Sequence, residues 1–143
     1  MALQTNNLYS ESYQIIKDFL NDLDIDPRKR YRGNWIHSSM PNINSKGFDG
    51  YPFIVLRVDL MEDNPTFDDN EEKIFRVQVS IYCEDPANLD SISNKIIANF
   101  KDETKLTEFK SKKLLSSPIN YTLDLKGKKI LYRDLWFIFR RKL

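Results

Sequence analysis

The residue types that could carry chemistry in this 143-residue chain are few. His37 is its one histidine and stands beside Ser38 and Ser39. Nucleophilic hydrolysis needs a base within reach of a serine, but neighbours in sequence rarely face each other that way, and no G-x-S-x-G elbow surrounds any serine. A single histidine and a single cysteine, Cys83, leave the usual zinc sites without ligands. One cysteine also excludes an intramolecular disulfide, and its place in an alternating apolar run reads as a small buried hydrophobe. Four glycines supply neither G-x-G-x-x-G nor a Walker loop. Paired carboxylates occur in one place, Glu62, Asp63, Asp68, Asp69, Glu71 and Glu72, too exposed in aspect to raise a pKa for acid catalysis. The run also lacks the glycine and ligand spacing of an EF-hand loop. The expectation is therefore a protein that is not an enzyme and carries no metal or cofactor.

Two charged segments remain. Arg28-Lys29-Arg30-Tyr31-Arg32, followed by Trp35, is the most basic run, and basic residues interleaved with aromatics can hold a phosphate backbone. A solvated turn or a contact with an acidic protein surface explains it equally well. Lysine plus arginine total 22 against 21 acids, so no net field draws the chain to nucleic acid or anionic membrane. Direct nucleic-acid binding is not expected. Were it to occur, Arg28, Lys29, Arg30, Arg32, Arg140, Arg141 and Lys142 would carry it. The N-terminus shows no charged region followed by an apolar run, and no apolar segment nears the roughly 20 residues that span a bilayer. A reducing cytoplasm and no membrane partner are expected.

The elements that must position these residues follow from periodicity. Phe75, Val77, Val79, Ile81 and Cys83 alternate with polar residues, predicting a strand over 73–84. Asp85 and Pro86 read as an N-cap and first-turn proline, and Leu89, Ile92, Ile96, Ile97 and Phe100 form one stripe of a helix over 86–100. A first helix is predicted over 9–23, capped by Ser10, with Tyr13, Ile16, Phe19, Leu20 and Leu23 on one face. Residues 31–37 read as a short strand and 38–50 as a loop rich in turn formers. Residues 51–60 read as a strand whose first half is apolar on both sides, joined to 73–84 as a long hairpin with a projecting acidic tip.

Residues 101–113 read as a polar loop. Strands over 114–125 and 130–141 close the chain around a tight turn at Gly127. With Gly127-Lys128 as the loop, Leu125 falls opposite Ile130, Leu123 opposite Tyr132 and Ile119 opposite Trp136. The closing strand then has Tyr132, Trp136 and Ile138 on one face and Leu131, Leu135, Phe137 and Phe139 on the other. A strand apolar on both faces needs two covers: the second helix, and either the first helix or a neighbouring subunit. The length suits a single domain over 1–143, α+β in class, with a mixed, mainly antiparallel sheet built from hairpins and packed with two amphipathic helices.

Three phrases, in this order, carry a resemblance: Tyr51-Pro52-Phe53-Ile54-Val55-Leu56 opening a strand after a Gly/Pro-rich loop; Val77-Gln78-Val79-Ser80-Ile81-Tyr82 before the helix Leu89–Ile97; and Leu135-Trp136-Phe137-Ile138-Phe139-Arg140. Together they make residues 51–140 resemble the tail-terminator or tail-completion proteins of long-tailed bacteriophages. The resemblance implies a virion subunit, assembled in the host cytoplasm, that forms a homo-oligomeric ring, expected to be a hexamer. Its implied partners are the tail tube protein and head-tail connector or neck proteins. Protein contacts are expected from the acidic residues Glu62, Asp63, Asp68, Asp69, Glu71 and Glu72, from the basic Arg28, Lys29, Arg30 and Arg32, and from Phe137 and Phe139. Another neck or head-completion protein is the nearer alternative, and a nucleic-acid-binding accessory protein the more distant one.

Overall fold

A computed structural model describes residues 5–30, 35–65, 71–118, 121–125 and 127–142. Their order is α1 (Thr5–Asp22), β1 (Ile36–His37), β2 (Phe53–Pro65), β3 (Glu71–Cys83), α2 (Pro86–Lys101), β4 (Ser111–Ser116), β5 (Tyr121–Leu125) and β6 (Lys128–Lys142). One sheet runs β1-β2-β3-β6-β4, with β5 also paired to β6. Every pairing is antiparallel except β1 with β2. The fold is α+β, and no helix among the described residues is long and apolar enough to cross a membrane.

α1 starts earlier than Ser10, which lies inside the helix rather than capping it. Leu8, Ser12, Ile16 and Leu20, four residues apart, are its buried stripe. α2 begins as its sequence dictates: the Asp85 carboxylate accepts the Ala87 amide at 2.9 Å and Pro86 opens the first turn. Leu89, Ile92, Ile96 and Phe100 are buried, and buried Ser93 returns its hydroxyl to the Leu89 carbonyl at 2.7 Å.

The β2–β3 hairpin is longer than its hydrophobic alternation suggests. Pairing continues through Glu62 with Ile74, Asp63 with Lys73, Asn64 with Glu72 and Pro65 with Glu71, past a bulge at Met61. Much of the expected acidic loop is thus strand, because ladder hydrogen bonds do not require apolar side chains. The predicted strand over 114–125 is two strands on one partner. β4 lies beside residues 136–140 of β6 and β5 beside 128–132. Pro118, which has no amide hydrogen to give a ladder, falls between them. At the closing turn Leu125 meets Lys128 and Leu123 meets Ile130, two residues from the expected register. A slip of two leaves each side chain on its original face.

Both helices cover the same face. Ile54, Leu56 and Val58 of β2, Phe75 to Cys83 at odd positions of β3, and Leu135, Phe137 and Phe139 of β6 join the helix stripes in one core. The turn at 102–110 adds buried Leu106 and Phe109, the latter 5.0 Å from the Phe139 ring. That segment is a packed plug rather than a loose polar loop. Lys112 anchors it by donating its ammonium to the carbonyls of Asp102 and Lys105. The first helix is therefore not the second cover of β6. Among the described residues, the opposite face of the sheet is covered by part of the 38–52 segment.

Candidate docking surfaces

The basic run is tied into its own chain. Arg30 sits against buried Asp26, Nε to Oδ2 at 2.9 Å, with its side chain 11% exposed. The same guanidinium donates to the carbonyls of Asp49, Gly50 and Pro52. Arg28 also donates to the Asp49 carbonyl, and Lys29 pairs with Asp24 at 3.2 Å. Gly50 has φ +80°, and a Cβ there would lie 2.9 Å from Arg28. Burial pushes the Asp26 carboxyl up, but the Arg30 side chain and the Arg28 and Arg30 amides outweigh it and hold the group below its ordinary value. Arg28 and Arg30 are thus a clamp on residues 49–52, not a free cationic patch. Arg32 lies outside the described residues. Near the C-terminus, Arg141 bonds Ser12 and Glu11 of α1, and Arg140 lies 3.7 Å from Glu72.

Of the acidic residues, Glu72 is buried and faces Lys110 at 2.7 Å as well as Arg140. It ties the tip end of the hairpin to β6 and to the 102–110 turn instead of projecting. The backbones of Glu62, Asp63 and Glu71 lie in the β2–β3 ladder, and Asp68 and Asp69 lie outside the described residues. Phe137 and Phe139, expected to make protein contacts, are fully buried under α2. Their rings pack edge-on to Phe100 at 4.8 and 5.2 Å. Leu135, Phe137 and Phe139 of β6 go into this core, while Tyr132, Trp136 and Ile138 lie on the strand's other face.

What the described helices leave open is the other face, for which a neighbouring subunit was one of the two covers expected from the sequence, although its stacked rings were not singled out. Phe53, Tyr82 and Tyr132 stack across three strands, with ring centroids 4.8 and 5.4 Å apart. Phe48 and Tyr51 fold over Phe53 from the loop, and His37 meets Phe53 edge-on at 5.8 Å. Beside the stack, Gln78 donates to Ser80 at 3.1 Å and Ser80 donates to Asp134 at 2.6 Å. Burial, then the Asp134 carboxylate, pushes the Tyr82 phenol up. A cavity of about 250 Å³ opens here between Met40, Arg57, Tyr82 and Asp134. Further along, Arg76 lies over the Trp136 ring at 5.5 Å and reaches Asp59 at 3.5 Å. The sequence did hold a signal. Tyr82, Tyr132 and Trp136 occupy alternate positions, a pattern for a half-wet sheet face.

As for reactive groups, Cys83 is buried and desolvation pushes its thiol up to about 12. Among the described residues, no three His, Cys, Asp or Glu side chains gather.

The whole chain superposes on a known one. A chain in the solved structure "Virion of native gene transfer agent (GTA) particle" matches with TM-score 0.51 over 99% of this chain and 100% of its own length. The fold is one found in a virion. At 12% identity the likeness extends to the fold alone. No family model matches the sequence, and no curated protein does.

Proposed function

We propose that this chain is a structural virion protein of a phage or phage-like particle, a tail terminator or completion subunit that forms a ring on the tail tube and joins tail to head. The observation that carries the reading is the end-to-end fold match to a chain of a gene transfer agent virion. The order of strand and helix phrases over 51–140 supports it. So does the sheet face that the protein's own helices leave uncovered. No catalytic step is assigned, and the partners are other copies of the chain, the tail tube protein and the connector. The same fold match also serves another neck or head-completion protein. The accessory nucleic-acid reading loses its main support, because Arg28 and Arg30 are spent on Asp26 and on the carbonyls of 49–52.

The test is negative-stain imaging and light scattering of the purified protein at high concentration, alone and with tail tubes. Closed rings that bind one end of the tubes and stop their growth are the expected result. Tubes that elongate unchanged, with rings bound to the connector instead, would move the protein to the neck.

A further inference from the structure

Both edges of the sheet carry exposed apolar residues. Of the five large hydrophobic residues that stand exposed among the described residues, three lie at the edges: Leu60 and Met61 on β2 and Leu115 on β4, at 42%, 48% and 58%. Met61 and Leu115 are the extra residues of two bulges, one on each edge. β1 accompanies β2 only as far as Val55, and on β2 Arg57 is exposed, as are Asp59 to Met61. No described strand pairs with the outer side of β4.

The rows of the sheet connect the two edges. Asp59 pairs with Arg76, Arg76 with Ile138, and Ile138 with Lys113. One row of the helix-free face therefore starts in a carboxylate at one edge and ends in an ammonium at the other. The next row joins Leu60, Phe75, Phe139 and Lys112. Backbone parity agrees. The Ile54 amide donates outward to the Trp35 carbonyl at 2.7 Å, so alternation turns the amide and carbonyl of Leu60 off the β2 edge. The same alternation carried through β3 and β6 turns Ser111 and Lys113 toward β6 and leaves Lys112 facing outward on β4. Strand directions alternate from β2 to β4, so a second copy in the same orientation presents its β4 antiparallel to β2.

We infer that the β2 edge at Asp59–Met61 of one copy docks on the β4 edge at Ser111–Leu115 of the next, with Leu60 opposite Lys112 and Asp59 opposite Lys113. The contact rests on the ring reading above and gives it a mechanism. Two different edges at one height make a head-to-tail contact, the kind that closes into a ring when the rotation allows. Backbone bonds at Leu60 and Lys112 fix the register. The Asp59–Lys113 pair sets orientation, and Leu60, Met61 and Leu115 lose their water.

A double variant, Asp59→Cys with Lys113→Cys, tests the register. Within one chain three strand spacings, roughly 14 Å, separate the two positions, far beyond disulfide reach. Across the docked edges they form a facing pair with Cα atoms about 4.5 Å apart. Oxidation at high protein concentration, with and without tail tubes, is read on non-reducing gels, with circular dichroism confirming the fold. The expected result is a ladder of multimers from the double variant, dimers at most from either single variant, and none from the wild type, whose Cys83 is buried. No ladder from the double variant overturns the edge contact. Rings in the same samples without a ladder would leave the terminator reading standing and place the subunit contact elsewhere.

Discussion

The two faces of this sheet are made from the same three long strands and differ in what they bury. The helix side carries valine, isoleucine, leucine and phenylalanine with every ring enclosed. The other side carries Tyr82, Tyr132, Trp136, Arg57 and Arg76, side chains with an apolar body and a polar end, set around Phe53, Val55 and Ile138. Complete burial makes the first side the source of stability, since enclosed apolar area scales with free energy. Amphipathic rings tolerate both water and a partner, so the second side can exist bare and still be covered. Substitutions should separate the two roles.

The largest effect belongs to the helix side. Phe137→Ala leaves a cavity between Phe100 and Phe139 and should cost about 3–5 kcal/mol in urea unfolding. A loss below about 1 kcal/mol would erase the contrast between the faces. Next is the clamp. Arg30→Ala strands the buried Asp26 and should cost about 3 kcal/mol near neutral pH. Asp26 titrates below its ordinary value when folded, so its stabilisation is present above the ordinary carboxylate range and is lost as pH falls through the lowered value. Asp26→Asn should therefore be clearly weaker than wild type at neutral pH, and the gap between their urea midpoints should narrow in acid.

On the helix-free side, Tyr82→Leu removes two stacked ring contacts and should cost about 1 kcal/mol. The smallest effect on folding is expected at the edge. Leu115→Lys should shift stability by no more than about 0.5 kcal/mol while lowering the multimer fraction in light scattering. An unchanged multimer fraction would return Leu115 to ordinary surface.

Secondary structure was largely legible because alternation and helical stripes are local. Asp85-Pro86 announced α2 from two residues, and the 73–84 alternation lies almost wholly within β3. The choice of face was not legible. Alternation shows that β6 is apolar on both sides but not which side receives which helix, and that depends on contacts between distant segments. The charged residues misled for a related reason. Arg30 and Glu72 read as free surface charges because, apart from Asp26 four positions before Arg30, their partners Asp49 to Pro52 and Lys110 lie about 20 and 38 positions away. Phe137 and Phe139 read as surplus until Leu106 and Phe109, in a stretch that looks polar, turned out to help cover that face.

The segment between β1 and β2 is fixed at both ends. Ile36 and His37 lie in the sheet, and Arg30 gathers the carbonyls of Asp49, Gly50 and Pro52 under one guanidinium. A loop with both feet fixed has already met most of its closure entropy, and lengthening it adds only a logarithmic cost. The exposed turns at Asn42 and Asn44–Gly47 are thus a permissive place to graft a peptide tag or a fluorophore site. A label there would report where each copy sits in an assembled particle.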